Sequence, residues 1–194
     1  MVIARDAGAQ ARGRPPVARR ADPAASGAGA PRGAWQVLGE IMDPEVPVIS
    51  IVELGIVRGV REDGARVEVT ITPTYSGCPA MDAIAADIRA AFARDGRDAA
   101  VVGALAPAWT TDWMAPEAKA RLAAFGIAPP GGAAPAPRID VTGISPLRRA
   151  RAAVACPRCG STATTLVAQF GSTACKALYR CDACREPFDH FKPH

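Results

Sequence analysis

Histidine is almost missing: there are two in 194 residues, and both fall in the last five positions. A cysteine hydrolase needs a histidine to activate its thiol, so the pattern excludes that chemistry from the body of the chain. Also absent are G-x-G-x-x-G, the phosphate-binding P-loop, H-E-x-x-H and paired Glu-x-x-His, the local signatures of nucleotide, zinc-protease and carboxylate-bridged iron sites. No run approaches the ~20 apolar residues that a membrane helix requires. No charged start followed by an apolar stretch reads as a secretory signal. The expectation is a soluble, cytoplasmic protein that performs no turnover by itself.

Aromatic residues make up only 5% of the chain, and lysine is replaced by arginine, 3 against 20. Nearly half of the residues are apolar, but 42 are alanine, which leaves material for one modest core and something small beside it. The net charge of +4 is too low to argue for a polyanionic partner, and its distribution says more. Residues 1–33 carry +4, residues 34–147 carry −5 and residues 148–194 carry +5. The front segment, built of Ala, Gly, Pro and Arg, cannot bury enough apolar surface to offset chain entropy and reads as a disordered tail.

Ordered sequence begins at Ala34-Trp35. Apolar residues at 35, 38, 41 and 42 predict a short helix stopped by Asp43-Pro44. Residues 56–61 and 66–72 flank Glu62-Asp63-Gly64-Ala65 and, with Val67, Val69 and Ile71 alternating, predict a hairpin. A helix is expected from Cys78-Pro79 to Asp95-Gly96, a third strand over 100–105, and a last helix over 116–125 closed by Gly126. The fold class is therefore α+β, a small domain over 34–128 with helices on a short sheet. Residues 129–150, rich in Pro, Gly and Ala, read as a linker. The remaining unit, 151–194, is too small to hold itself together by an apolar core alone.

Its staple is visible. Cys156-Pro157-Arg158-Cys159 and Cys181-Asp182-Ala183-Cys184 are two C-x2-C pairs 21 residues apart, with strand-like sequence on either side of Gly171-Ser172-Thr173. Two such turns present four thiolates to one tetrahedral ion, the layout of a zinc ribbon. Iron bound by the same four thiolates is the competing reading. Disulfides are disfavoured because nothing directs the chain to an oxidising compartment. Cys175 lies outside the four-ligand pattern and reads either as a small apolar residue of the ribbon or as an auxiliary thiol. His190 and His194 are spare ligands at most. The basic ribbon with Phe170, Tyr179, Phe188 and Phe191 offers stacking surfaces for a nucleic-acid contact as a competing reading to a small ribbon core, and nucleic acid is not the expected partner.

Cys78 is the position in the first domain that looks functional. Preceding a helix and followed by Pro79, it sits in a field that favours an anion, which predicts a lowered thiol pKa and raised nucleophilicity. A buried cysteine packed under the hairpin is the alternative. Asp43, Glu45 and Glu53 offer carboxylates, though acidic residues in a turn are usually solvated.

Two resemblances rest on these residues. Asp43-Pro44-Glu45-Val46-Pro47, Ser50-Ile51-Val52-Glu53-Leu54-Gly55-Ile56-Val57, Thr74-Tyr75-Ser76-Gly77-Cys78-Pro79 and Pro107-Ala108-Trp109-Thr110-Thr111-Asp112-Trp113-Met114 resemble the SufT-like domain family of iron–sulfur protein maturation. Phe170-Gly171-Ser172-Thr173-Ala174-Cys175-Lys176-Ala177-Leu178-Tyr179-Arg180-Cys181, with Glu186-Pro187-Phe188-Asp189-His190-Phe191-Lys192, is similar to the D-subunit family of the bacterial phenylacetyl-coenzyme A epoxidase system. The resemblance implies an accessory component of a multicomponent oxygenase in aerobic phenylacetate catabolism. In that family the di-iron and reductase centres are in other subunits, so the implied partners are the oxygenase and the iron–sulfur reductase, with no membrane. It further implies a resident Zn2+ at Cys156, Cys159, Cys181 and Cys184, and transient iron or an iron–sulfur cluster passing through Cys78. A purely structural component of the same complex is the other reading.

Overall fold

The structure, a computed structural model, describes residues 32–131 and 153–194. The tail reading of 1–33 and the linker reading of 129–150 lie, but for residues 32–33 and 129–131, outside them. The described elements run α1 (Ala34–Gly39), β1 (Val57–Asp63), β2 (Arg66–Ile71), α2 (Ala80–Arg94), β3 (Asp98–Gly103), a 3-10 turn (Thr111–Trp113), α3 (Pro116–Phe125), β4 (Ile127–Ala128), β5 (Thr164–Ala168), β6 (Lys176–Cys181) and β7 (Pro187–Phe191). This is the expected α+β order, with each predicted element close to its expected bounds.

β1 and β2 form an antiparallel hairpin in which Asp63 faces Arg66, leaving a two-residue turn. Gly64, at φ +58°, takes the first turn position, where a left-handed residue matches the strand twist. β3 lies parallel to β2, with Val101 opposite Val69, so α2 is the crossover between parallel strands. Its Ile84, Ile88, Ala91 and Phe92 are buried in one core with Val67, Val69 and Ile71 of β2, Val37 and Leu38 of α1, and Ile49, Ile51, Leu54 and Ile56 from the connection between α1 and β1. β3 begins at residue 98 rather than 100, since Asp98 pairs with Arg66 at the start of β2. α1 stops at Gly39, short of residue 42, because Met42 bridges back to Ser50.

Gly55 shows why the connection to β1 has its sequence. It has φ +79°, and an added Cβ would lie 2.9 Å from Trp113 Cβ and from the Trp113 carbonyl oxygen. Just beside it, Trp109 Nε1 donates to the Leu54 carbonyl at 3.1 Å. Both conformation and space therefore require glycine. Gly55→Ala is expected to destabilise the fold by about 1–3 kcal/mol, read as a lower urea midpoint with unchanged slope.

The ribbon sheet holds two strands that sequence patterning does not predict. β4 has only two residues, yet it joins this sheet, whose order is β4-β7-β6-β5, by parallel pairing of Ile127 with Asp189 and Ala128 with His190. β7 pairs antiparallel with β6 from Arg180–Pro187 to Lys176–Phe191. The end of the first module thus supplies an edge of the second module's sheet. Phe191, 1% exposed, belongs to the first module's core and its ring centroid is 6.1 Å from that of Trp109. The His194 ring packs edge-on against Trp109 from 5.9 Å.

Candidate metal centre and thiol site

The ribbon cysteines converge because two tight turns aim backbone and sulfur inward. In the first, Gly160 N–H donates to the Cys156 carbonyl at 2.9 Å and Gly160 takes φ +73°. In the second, Arg185 N–H donates to the Cys181 carbonyl at 3.0 Å and Arg185 takes φ +69°, a left-handed position held here by a non-glycine residue. The Cys184 N–H also points at Cys181 Sγ, 3.5 Å away. That N–H, together with the N–H of Ala183, draws the Cys181 thiol down to about 7.

All four sulfurs lie within 4.8 Å of one another, with Cys156–Cys184 at 3.8 Å and Cys159–Cys181 at 3.5 Å. Tetrahedral zinc with Zn–S bonds of ~2.3 Å requires sulfur separations of about 3.8 Å. The donor set therefore fits a zinc ion held by Cys156, Cys159, Cys181 and Cys184, which when bound supplies a rigid cross-link between the two turns. The core beneath it is small: Ala128, Cys156, Ala177, Tyr179, Cys181 and Phe188. Tyr179 and Phe188 stack with centroids 5.9 Å apart. His190 is not among the clustered donors; it is buried, with Nδ1 3.2 Å from the Ala128 carbonyl oxygen.

Cys78 is half-buried on the loop entering α2, its N–H bonded to the Tyr75 carbonyl at 3.2 Å. The expectation of a lowered pKa does not hold. Burial pushes the thiol up; the Ala80 N–H at the head of α2 opposes this, but the Glu45 carboxylate adds to the rise, and the net shift is upward. The helix-end effect is present, yet desolvation, with the added charge of Glu45, outweighs it. Tyr75 is pushed up to about 12, by burial first and then by the charges of Cys78 and Glu45.

The carboxylates are not simply solvated turn residues. Asp43 is 4% exposed, and its Oδ1 accepts the N–H groups of Glu45 at 2.9 Å and Val46 at 2.8 Å, which fixes the turn that presents Glu45. Burial raises the Asp43 pKa against those two donors. Glu53 takes a structural role: Oε2 accepts from Ser50 N–H and Oγ at 3.1 and 3.0 Å, and Oε1 pairs with Arg121.

Cys175 is in an unexpected place. It is 3% exposed and packs in the first module's core, not in the ribbon's own. Its Sγ lies 3.7 Å from Glu45 Oε2, to which the thiol donates, and 3.0 Å from Thr173 Oγ1. Burial pushes this thiol up to about 11, with Thr173 opposing and Glu45 reinforcing the shift. Both Cys78 and Cys175 are thus neutral thiols near pH 7, and a metal binding there must displace their protons. No spacing along the chain brings Cys175 to Glu45; the contact arises only because the turn before β6 packs onto the turn after α1.

Comparison with known proteins places these features. Residues 33–104 match the family model described as iron–sulfur cluster assembly protein, and residues 143–192 match the PaaD zinc beta ribbon domain. A protein of Escherichia coli (strain K12), named as the D-subunit of a "Putative 1,2-phenylacetyl-CoA epoxidase", is 49% identical over 159 residues, covering 81% of this chain and 90% of that protein. A crystal structure of the domain of unknown function DUF59 from Bacillus anthracis superposes with a TM-score of 0.43 at 28% identity, covering 46% of this chain and 87% of that one. Among the described residues no helix is long and apolar enough to cross a membrane.

Proposed function

Because this chain belongs to the D-subunit family of 1,2-phenylacetyl-CoA epoxidases, we propose that it is an accessory component of that multicomponent oxygenase, without catalysis of its own, that assists assembly of an iron or iron–sulfur centre in a partner protein. The observation that carries this reading is the half-buried Cys78 thiol on the loop entering α2, inside the segment that matches the iron–sulfur assembly family. A part-exposed thiol, once deprotonated, is a ligand for a borderline divalent ion. Iron is here cargo, not a resident cofactor. The zinc site is set apart from this role: its four donors close the coordination shell, as structural sites do.

A scaffold role in the same complex has one observation in its favour, the exposed Val167 and Phe170 on and beside β5, the outer strand of the ribbon sheet. One experiment separates the two. The oxygenase and reductase components are produced with and without this chain, and their iron and acid-labile sulfide are measured after purification. Metal-poor but correctly assembled partners in its absence are the result expected. Fully metallated partners that fall apart without it would replace the assembly reading by the scaffold.

A further inference from the structure

We infer that the outer edge of β3 is a self-association surface: two copies of this chain join β3 to β3 in antiparallel pairing, which makes one continuous sheet of order β1-β2-β3-β3-β2-β1. The inference goes beyond the functional reading above and stands or falls without it. β3 is the end strand of its sheet, paired with β2 on one side and, among the described residues, with no strand on the other. On such an edge alternate residues turn N–H and C=O outward, a template for another strand. The side chains there are apolar and uncovered. Val102 is 44% exposed and Leu105, two residues past the strand, 76%. An added Cβ on Gly103 would meet nothing within 4 Å, so the end of the strand is uncrowded.

Sheet edges that are not meant to pair are blunted by charges, prolines, bulges or shortness. The other edges among the described residues carry these devices. β1 has Arg58, Arg61, Glu62 and Asp63, and its register shifts between Val57 and Gly59. β5 shifts register between Leu166 and Ala168, and β4 has only two residues. β3 has none of them. No charge occurs from Ala99 through Pro107, proline is reached only at that last position, and the register with β2 is unbroken from Asp98 to Gly103.

The charge pattern selects the occupant and its direction. The one charge on the strand is Asp98, at its start. Antiparallel self-pairing about a two-fold axis near Val101 brings each Asp98 to the uncharged far end of the other copy, whereas parallel pairing would set Asp98 beside Asp98. Like charges directly opposite destabilise a sheet. A two-fold contact uses the same patch twice, so the patch must complement itself. The neutral stretch from Ala99 to Leu105 does so, while a charged strand from another protein would find no counter-charge along it. Val102 of each copy then falls on the same face of the joined sheet, directly or diagonally across from the other, and the two side chains cover one another.

Sedimentation equilibrium of the zinc-loaded full chain should show monomer and dimer exchanging with a midpoint of roughly 10–100 µM, because one strand pair buries less than the ~1,200 Å² of a stable complex. Val102→Lys should raise that midpoint by at least ~10-fold, with zinc kept at one per chain and the thermal midpoint of the dilute monomer unchanged. Val102→Glu should act alike, and mixing the two variants should recover association that neither shows alone, a result that misfolding does not give. Val167→Lys, on the β5 edge, should leave the equilibrium as in the wild type. Amide exchange along β3 should slow as concentration rises. A wild-type chain that stays monomeric throughout, or a dimer broken by Val167→Lys and not by Val102→Lys, would overturn the proposal. So would β3 amides equally protected at every concentration, as when another segment of the same chain covers the edge.

Discussion

Replacing Cys181 by serine is expected to cost on the order of 5 kcal/mol and to release the zinc. In small structural zinc units the metal's binding free energy is folding free energy, ~10–16 kcal/mol for the whole site, and the loss is a large share of a typical domain's stability of ~5–15 kcal/mol. The ribbon's own core is small: among the described residues it has six buried side chains, two of which are ligands. Cys181 is fully buried at the end of β6, so the serine hydroxyl would also be left in an apolar setting. The damage should not stop at the ribbon. β6 begins at Lys176, directly after Cys175, and β7 ends at Phe191, and both Cys175 and Phe191 sit in the first module's core. Loss of zinc should therefore expose Trp109 and shift its fluorescence. Chelation of the wild-type chain should do the same. An unchanged unfolding midpoint with one zinc retained would contradict the four-cysteine assignment.

Phe191→Ala is the second large effect, about 3–5 kcal/mol for truncating a buried aromatic. The ring is 1% exposed and packs tilted on Trp109, while its backbone pairs with Lys176. Zinc should stay at one per chain, because Phe191 is not part of the small core that packs beneath the ligands. Unfolding should then change from one transition to two, as the ribbon loses its hold on the first module. A cost under about 1 kcal/mol with a single transition would show that the two modules do not stabilise one another.

The parts of this molecule legible in sequence are those built by local rules. The alternation at Val67, Val69 and Ile71, the punctuation by Gly64 and Gly126, and the Pro79 start of α2 each act over a few residues, and the hairpin and α3 lie where these signals put them. The paired C-x2-C turns are equally local, and they meet in space. The junction is not legible in this way. β4 has two residues, too few for any periodicity, and the burial along β7 follows its contacts with the first module, so its pattern is not a clean alternation. At Cys78 the helix end is visible in sequence, but the burial of the thiol and, after it, the charge of Glu45 come from the tertiary fold, and the expected direction of the pKa shift is therefore reversed. Cys175 departs from its expected place in the ribbon for the same reason: its carboxylate neighbour lies 130 positions away.

The measurement that tests the central claim most directly is iron, zinc and acid-labile sulfide per chain in protein purified without oxygen, wild type beside Cys78→Ala. Expected are one zinc in both, substoichiometric iron in the wild type only, and metal-poor partner proteins when they are produced with the variant. One zinc and no iron in either form, with fully metallated partners, would contradict it.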